Sequence, residues 1–162
     1  MIILGLDPGL ASTGFGLIRF KDNNPTLLKC GYIKTFQKDH ISARISQIYA
    51  DLDSLLKETI PDIIAVEDIF SLVRYPKAGI LLGVVLGAIY LIASNNKVEL
   101  IEITPKEVKN ALIGYGNADK YQIKKMIQHS LNINRIDSFH AADALAVALT
   151  AYYRMDNTER VI

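Results

Sequence analysis

The chain has one cysteine and no tryptophan, and its formal net charge is +1. A lone thiol, Cys30, builds neither a disulfide framework nor a thiolate zinc site, which points to a reducing compartment. Near-neutral charge removes any whole-molecule field, so a nucleic-acid partner would have to meet a local basic face. No low-complexity tract, internal repeat or linker interrupts the 162 residues, half of which are apolar. The start lacks a basic segment ahead of a short apolar stretch and cleavage site, so no signal peptide is expected. The longest apolar stretch, Ile80 to Ala93, is about fourteen residues, short of the roughly twenty that span a bilayer. A buried helix and no membrane partner are expected.

What is present reads as alternating strands and helices. Ile2 to Leu6 is a short apolar strand with Asp7 at its end, turned at once by Pro8-Gly9. Phe15 to Phe20 returns as a hairpin partner, Asp22 to Pro25 is a turn, and Leu27 to Phe36 is a third strand. A helix over 42–58 follows, with Ser42 as its cap and Pro61 at its end. Ile63 to Val66 is a compact strand that delivers Glu67, and 77–95 is a long apolar helix. Val98 to Ile103 is a strand, and Thr104-Pro105 opens a short helix that stops near Gly114. A basic helix over 121–131 and an apolar one over 138–153 complete the order. This is an α/β chain with a mixed sheet flanked by helices. Residues 1–155 are expected as one domain, with 156–162 as a polar tail.

Four side chains fall at matching places. Asp7 and Glu67 end apolar strands, and neighbouring strand ends can bring such carboxylates together. His140 and Asp143, at i and i+3, share one face of a helix that is otherwise small and apolar. Buried carboxylates are costly unless paired or metal-bound, and three carboxylates with one imidazole suit Mg²⁺ or Mn²⁺. From spacing alone, a satisfied polar cluster or surface charges fit as well. Basic residues outnumber acidic ones between Asn96 and Arg135, where a DNA-facing surface would sit. Gly79, Gly83 and Gly87 form one stripe on the apolar helix, which lowers helix propensity and implies a close neighbour, either the sheet or another subunit.

Four stretches taken together resemble the RuvC family of Holliday-junction resolvases, on the ribonuclease H-like fold. They are Ile3 to Gly9 with Thr13 to Gly16, Ala65 to Phe70, Val108-Lys109 through Gly114 to Lys120, and His140 to Ala146. The resemblance implies a structure-selective endodeoxyribonuclease of recombination and repair, in which a homodimer makes paired symmetric nicks in a four-way junction. It implies that Asp7, Glu67, His140 and Asp143 hold two Mg²⁺ ions per subunit, with Mn²⁺ as a substitute. Asp7 would bridge the ions and Glu67 would also orient water. It further implies DNA contacts by Phe70, Lys109 and Lys120, with Phe70 as a stacking wedge; Lys106 extends the same basic region and reads equally as a DNA contact or a solvated surface lysine. A subunit interface along Gly79, Gly83 and Gly87, a branch-migration motor of the RuvA and RuvB type, and a bacterial cytoplasm complete the expectation. Many members carry Asp where this chain has His140. The 71–77 and 83–87 stretches also depart from the usual family residues. A ribonuclease H-like junction-binding module without catalysis is the alternative. An actin-like ATP-binding protein is disfavoured, because a second Asp-Gly phosphate hairpin is missing.

Overall fold

The computed structural model describes residues 1–68, 76–114 and 118–159. Five strands form one sheet in the order β3-β2-β1-β4-β5. β1 (Ile2–Asp7), β2 (Ser12–Lys21) and β3 (Asn24–Lys34) make an antiparallel meander. β4 (Ile63–Glu67) runs parallel to β1, and β5 (Glu99–Ile103) parallel to β4. Strand side chains alternate between faces, so each strand feeds two cores. Leu4, Leu6, Leu17, Ile64 and Val66 pack under α1 (Ile41–Thr59) and α2 (Pro76–Asn96). Ile3, Ile18, Ile63, Ala65 and Ile103 pack under α3 (Pro105–Ile113), α4 (Lys120–Ser130) and α5 (Phe139–Glu159). The expected mixed α/β architecture is therefore present, and Asp7 and Glu67 lie on the second of these faces.

Several local expectations need correction. The turn after β2 is only Asp22-Asn23, both left-handed with φ of 50° and 61°, which suits a two-residue hairpin. Pro25 sits inside β3 opposite Phe20, tolerated because β3 is an edge strand with no outer partner for the missing N–H. Helix α1 is capped by His40, not Ser42, and no side chain bonds the cap. Its entry is fixed by tertiary contacts instead. The buried Arg44 donates from Nε to Thr35 Oγ1 at 2.8 Å, and that hydroxyl donates to Leu10 O at 2.6 Å. Together with the Thr35 N–H on Ala11 O, this clamps the loop that follows Asp7.

Helix α2 is not the buried helix expected from its composition. Val85, Leu86, Ile89 and Ile92 face the sheet, while Ile80, Val84, Tyr90 and Leu91 are exposed. By length and composition Lys77–Asn96 could cross a bilayer, yet its inner face joins the apolar core beneath α1. Gly83 and Gly87 are on the outer side, with no atom within 4 Å of where a Cβ would stand. Packing on the sheet therefore does not explain these two glycines; Gly79 is half-buried.

Helix α5 continues to Glu159, well past the point where a tail was expected to begin. Its far end is held by Arg154, which donates to Glu102 O at 2.9 Å, and by Tyr152 stacked on Phe20 at 4.0 Å. Its near end lies directly on the sheet, over glycines. A Cβ on Gly5 would meet Ala144 O at 2.0 Å, one on Gly14 would meet His140 O at 2.1 Å, and one on Gly16 would meet Leu145 Cδ2 at 2.7 Å. Any side chain at these positions would lift the helix. The three glycines thus set the height of α5 above β1 and β2.

Candidate active site

The parallel register of β1 and β4 pairs Leu6 with Val66, so Asp7 and Glu67 follow side by side at the strand ends. The first two turns of α5 then lay His140 and Asp143 over them. His140 Nδ1 stands 2.8 Å from Asp7 Oδ2, a hydrogen bond in the tautomer that carries its proton on Nδ1. Asp7 keeps only 15% of its side-chain exposure and Asp143 30%. The four residues expected from the sequence line one cleft of about 520 Å³.

Two capped helices build the opposite wall. Thr104 and Glu107 form a capping box at the start of α3: Glu107 N donates to Thr104 Oγ1 at 3.2 Å, and Thr104 N donates to Glu107 Oε2 at 2.7 Å. That helix presents Lys109 to the cleft. Asp119 and Gln122 repeat the arrangement at α4, where Asp119 Oδ1 accepts from Tyr121 N and Gln122 N at 2.8 and 2.9 Å. The helix starts at Lys120, one residue before the expected Tyr121, and its cap Asp119 is announced by the readable signal Asp-x-x-Gln. The cap places Lys120 so that its Nζ donates to Asp143 Oδ2 at 3.5 Å. Pro105, Val108, Ala118 and Ile123 supply apolar walls. Lys106 is exposed on α3 and does not line this cleft. Phe70 lies outside the described residues.

Electrostatically, the cleft is short of positive charge. Burial, followed by the negative charges of Asp7 and Asp143, pushes the Glu67 carboxyl up to about 7. Burial also raises Asp7, against the lowering effect of its bond to His140. Lys120 acts in the opposite direction on both but does not cancel the shifts. Desolvated like charges with oxygen donors and one imidazole are a donor set suited to a hard divalent cation. Among the described residues, no three or more of His, Cys, Asp and Glu already converge as a closed cage. His140 Nδ1 is instead engaged with Asp7.

A pH experiment tests this electrostatic picture. Below about pH 4.5 Glu67 is protonated in both folded and unfolded chains. From there to about pH 7 the unfolded chain ionises first, so the folded state loses stability, by at most about 3 kcal/mol from this group. Urea unfolding in chelator at pH 5 and pH 8 should show this loss in the wild type and a smaller one in Glu67→Gln. Added Mn²⁺ should offset it at pH 8. Equal losses in both proteins would mean that Glu67 is solvated.

Comparison with known proteins identifies the family. Residues 3–151 match the family model described as crossover junction endodeoxyribonuclease RuvC. The proteins of that name from Natranaerobius thermophilus and Alkaliphilus oremlandii are 38% and 39% identical to this chain. The matches cover 92% of both chains for the first, and 98% of this chain and 97% of the relative for the second. The Thermus thermophilus RuvC structure superposes with a TM-score of 0.89 at 31% identity, over 98% of each chain. The same protein in complex with Holliday junction substrate gives 0.90 at 31% identity, over 98% of this chain and 97% of that one. The sheet with its flanking helices is thus the ribonuclease H-like fold of these nucleases, and divalent-metal dependence accompanies that membership. The chain belongs to the RuvC family of crossover junction endodeoxyribonucleases, enzymes that hydrolyse DNA phosphodiester bonds.

Proposed function

We propose that Asp7, Glu67, His140 and Asp143 are the catalytic cluster of this resolvase and hold two Mg²⁺ ions, with Mn²⁺ as a substitute. One observation carries the reading: two largely buried carboxylates stand at adjacent strand ends, and the charge of Asp7 adds to burial in raising the free energy of ionising Glu67. Such a pair is stabilised by cations. When bound, divalent ions supply a water acidic enough to attack at neutral pH and charge compensation for the leaving oxygen. Asp7, hydrogen-bonded to His140 and at the centre of the cluster, would hold the cations from the end of β1. Glu67 would also hold a cation and orient the attacking water through a carboxylate oxygen. His140 and Asp143 close the site from α5. Lys120 and Lys109 face the same cleft and stabilise charge developing on the phosphate. Lys106, on the outer surface of α3, contacts DNA backbone away from the reacting group. Phe70, assigned by the family resemblance, is the wedge at the junction centre.

Paired nicking needs two such clefts on one junction. The exposed stripe of Ile80, Val84 and Leu91, with Gly83 and Gly87 between them, supports α2 as the homodimer interface. Glycines let backbones approach closely, and Gly79 extends the same row. The substrate is four-way junction DNA, the substrate named for the Thermus thermophilus complex. A motor of the RuvA and RuvB type would act alongside in a bacterial cytoplasm.

On a synthetic four-way junction in Mg²⁺ the wild type should make paired nicks, which chelator abolishes. Asp7→Asn and Glu67→Gln should slow cleavage by about a thousandfold, about 4 kcal/mol of barrier. Junction binding without cleavage, across several junction sequences and in either metal, would instead establish the catalytically silent module.

The interface has its own test. Gly87→Ala has room for its methyl in the isolated subunit and should stabilise α2 there by about 0.5–1 kcal/mol. At a close interface the same methyl should weaken the dimer, raising its dissociation constant in sedimentation. An unchanged dimer would move the interface off α2.

A further inference from the structure

We propose that Tyr121 and Phe139, with Lys124, form a base-stacking platform on the rim of the catalytic cleft, which holds a DNA base beside the phosphate being cut. The proposal rests on the nuclease reading of the acidic cluster. Each aromatic is the chain neighbour of a cleft residue: Tyr121 follows Lys120, and Phe139 precedes His140. Both rings are exposed, Tyr121 at 70% and Phe139 at 46%. Their centroids are 6.2 Å apart and their planes lie at 87°. Lys124 places its ammonium 5.1 Å from the Phe139 centroid.

Each feature suits a strand of nucleic acid. Two helix starts fix the rings, since Asp119 Oδ1 accepts the Tyr121 N–H and Phe139 is the first residue of α5. Perpendicular rings cannot stack on one another, so the mostly exposed Tyr121 retains an open π-face. A base of any identity can stack on such a face, and cationic side chains track the backbone alongside. Lys124 combines both roles by sitting over Phe139 within reach of solvent. Lys120, one residue before Tyr121, already projects into the cleft. A base on Tyr121 and its phosphate at the cluster would therefore be held by consecutive residues of α4. A purely structural role for the pair would seal the α4–α5 contact and bury the rings, but more than two-thirds of Tyr121 faces solvent.

Tyr121→Leu removes the π-face and Tyr121→Phe retains it. Both are assayed as full-length protein with melting temperatures matched to the wild type. For cleavage, Tyr121→Leu should raise KM for the junction about tenfold with kcat within about twofold, while Tyr121→Phe behaves as wild type. For binding, 2-aminopurine is placed in turn at the nucleotides flanking the cut, and uncut junctions are held by Asp7→Asn protein. One position should show quenching that is lost with Tyr121→Leu and kept with Tyr121→Phe. Junction cleavage with the wild-type KM and unchanged quenching in Tyr121→Leu would overturn the platform alone. Failure of the wild type to cut any junction would overturn the platform together with the nuclease reading.

Discussion

The close seating of α5 on a floor of glycines is the constraint on which the rest of the site depends. Gly5, Gly14 and Gly16 lie where any Cβ would strike the backbone or side chains of that helix, at 2.0 to 2.7 Å. Interiors this dense transmit displacements instead of absorbing them. His140 belongs to the very turn that touches Gly14, and Asp143 is one turn further along. The height of the helix therefore fixes how far the imidazole and the second carboxylate stand from Asp7. The alanines of α5, buried at 144, 146 and 148, complete the fit from the helix side.

Proximity on this scale has an electrostatic consequence. Carboxylates from two strands and a helix are brought into a partly dry cleft where the lysine paired with Asp143, Lys120, is itself largely exposed. Burial and mutual repulsion then hold Glu67 at about 7. The fold tolerates this strain because the elements around the site are anchored elsewhere. Arg44 and Thr35 clamp the loop after Asp7, capping boxes fix α3 and α4, and Arg154 ties the far end of α5 to β5. The stability lost at the cluster is offset in the two apolar cores, above and below a sheet that is fully buried at its centre.

Much of this was legible in the residues. Apolar runs ending in Asp7 and Glu67 announced strand ends, and the i, i+3 spacing of His140 and Asp143 announced a shared helix face. Thr104-Pro105 announced a helix start that the structure bears out as a capping box. Local signals failed where tertiary contacts decide. Helix α1 begins two residues before the Ser42 cap would allow, because a buried arginine fixes its entry. Pro25 reads as turn, yet an edge strand accommodates it. Helix α2 is apolar on every side, so its pattern could not reveal that one face is left exposed. The glycine floor was invisible for a different reason: a glycine in a strand has many explanations until the element above it is known.

The most direct test of this account is calorimetric titration of Mn²⁺ into the wild type and Gly14→Ala at pH 8, with circular dichroism to confirm that both are folded. Uptake by the wild type and an affinity at least about tenfold weaker in Gly14→Ala are expected, as for a supporting contact of a metal centre. No Mn²⁺ uptake by the wild type, or equal affinity in a folded Gly14→Ala, would contradict it.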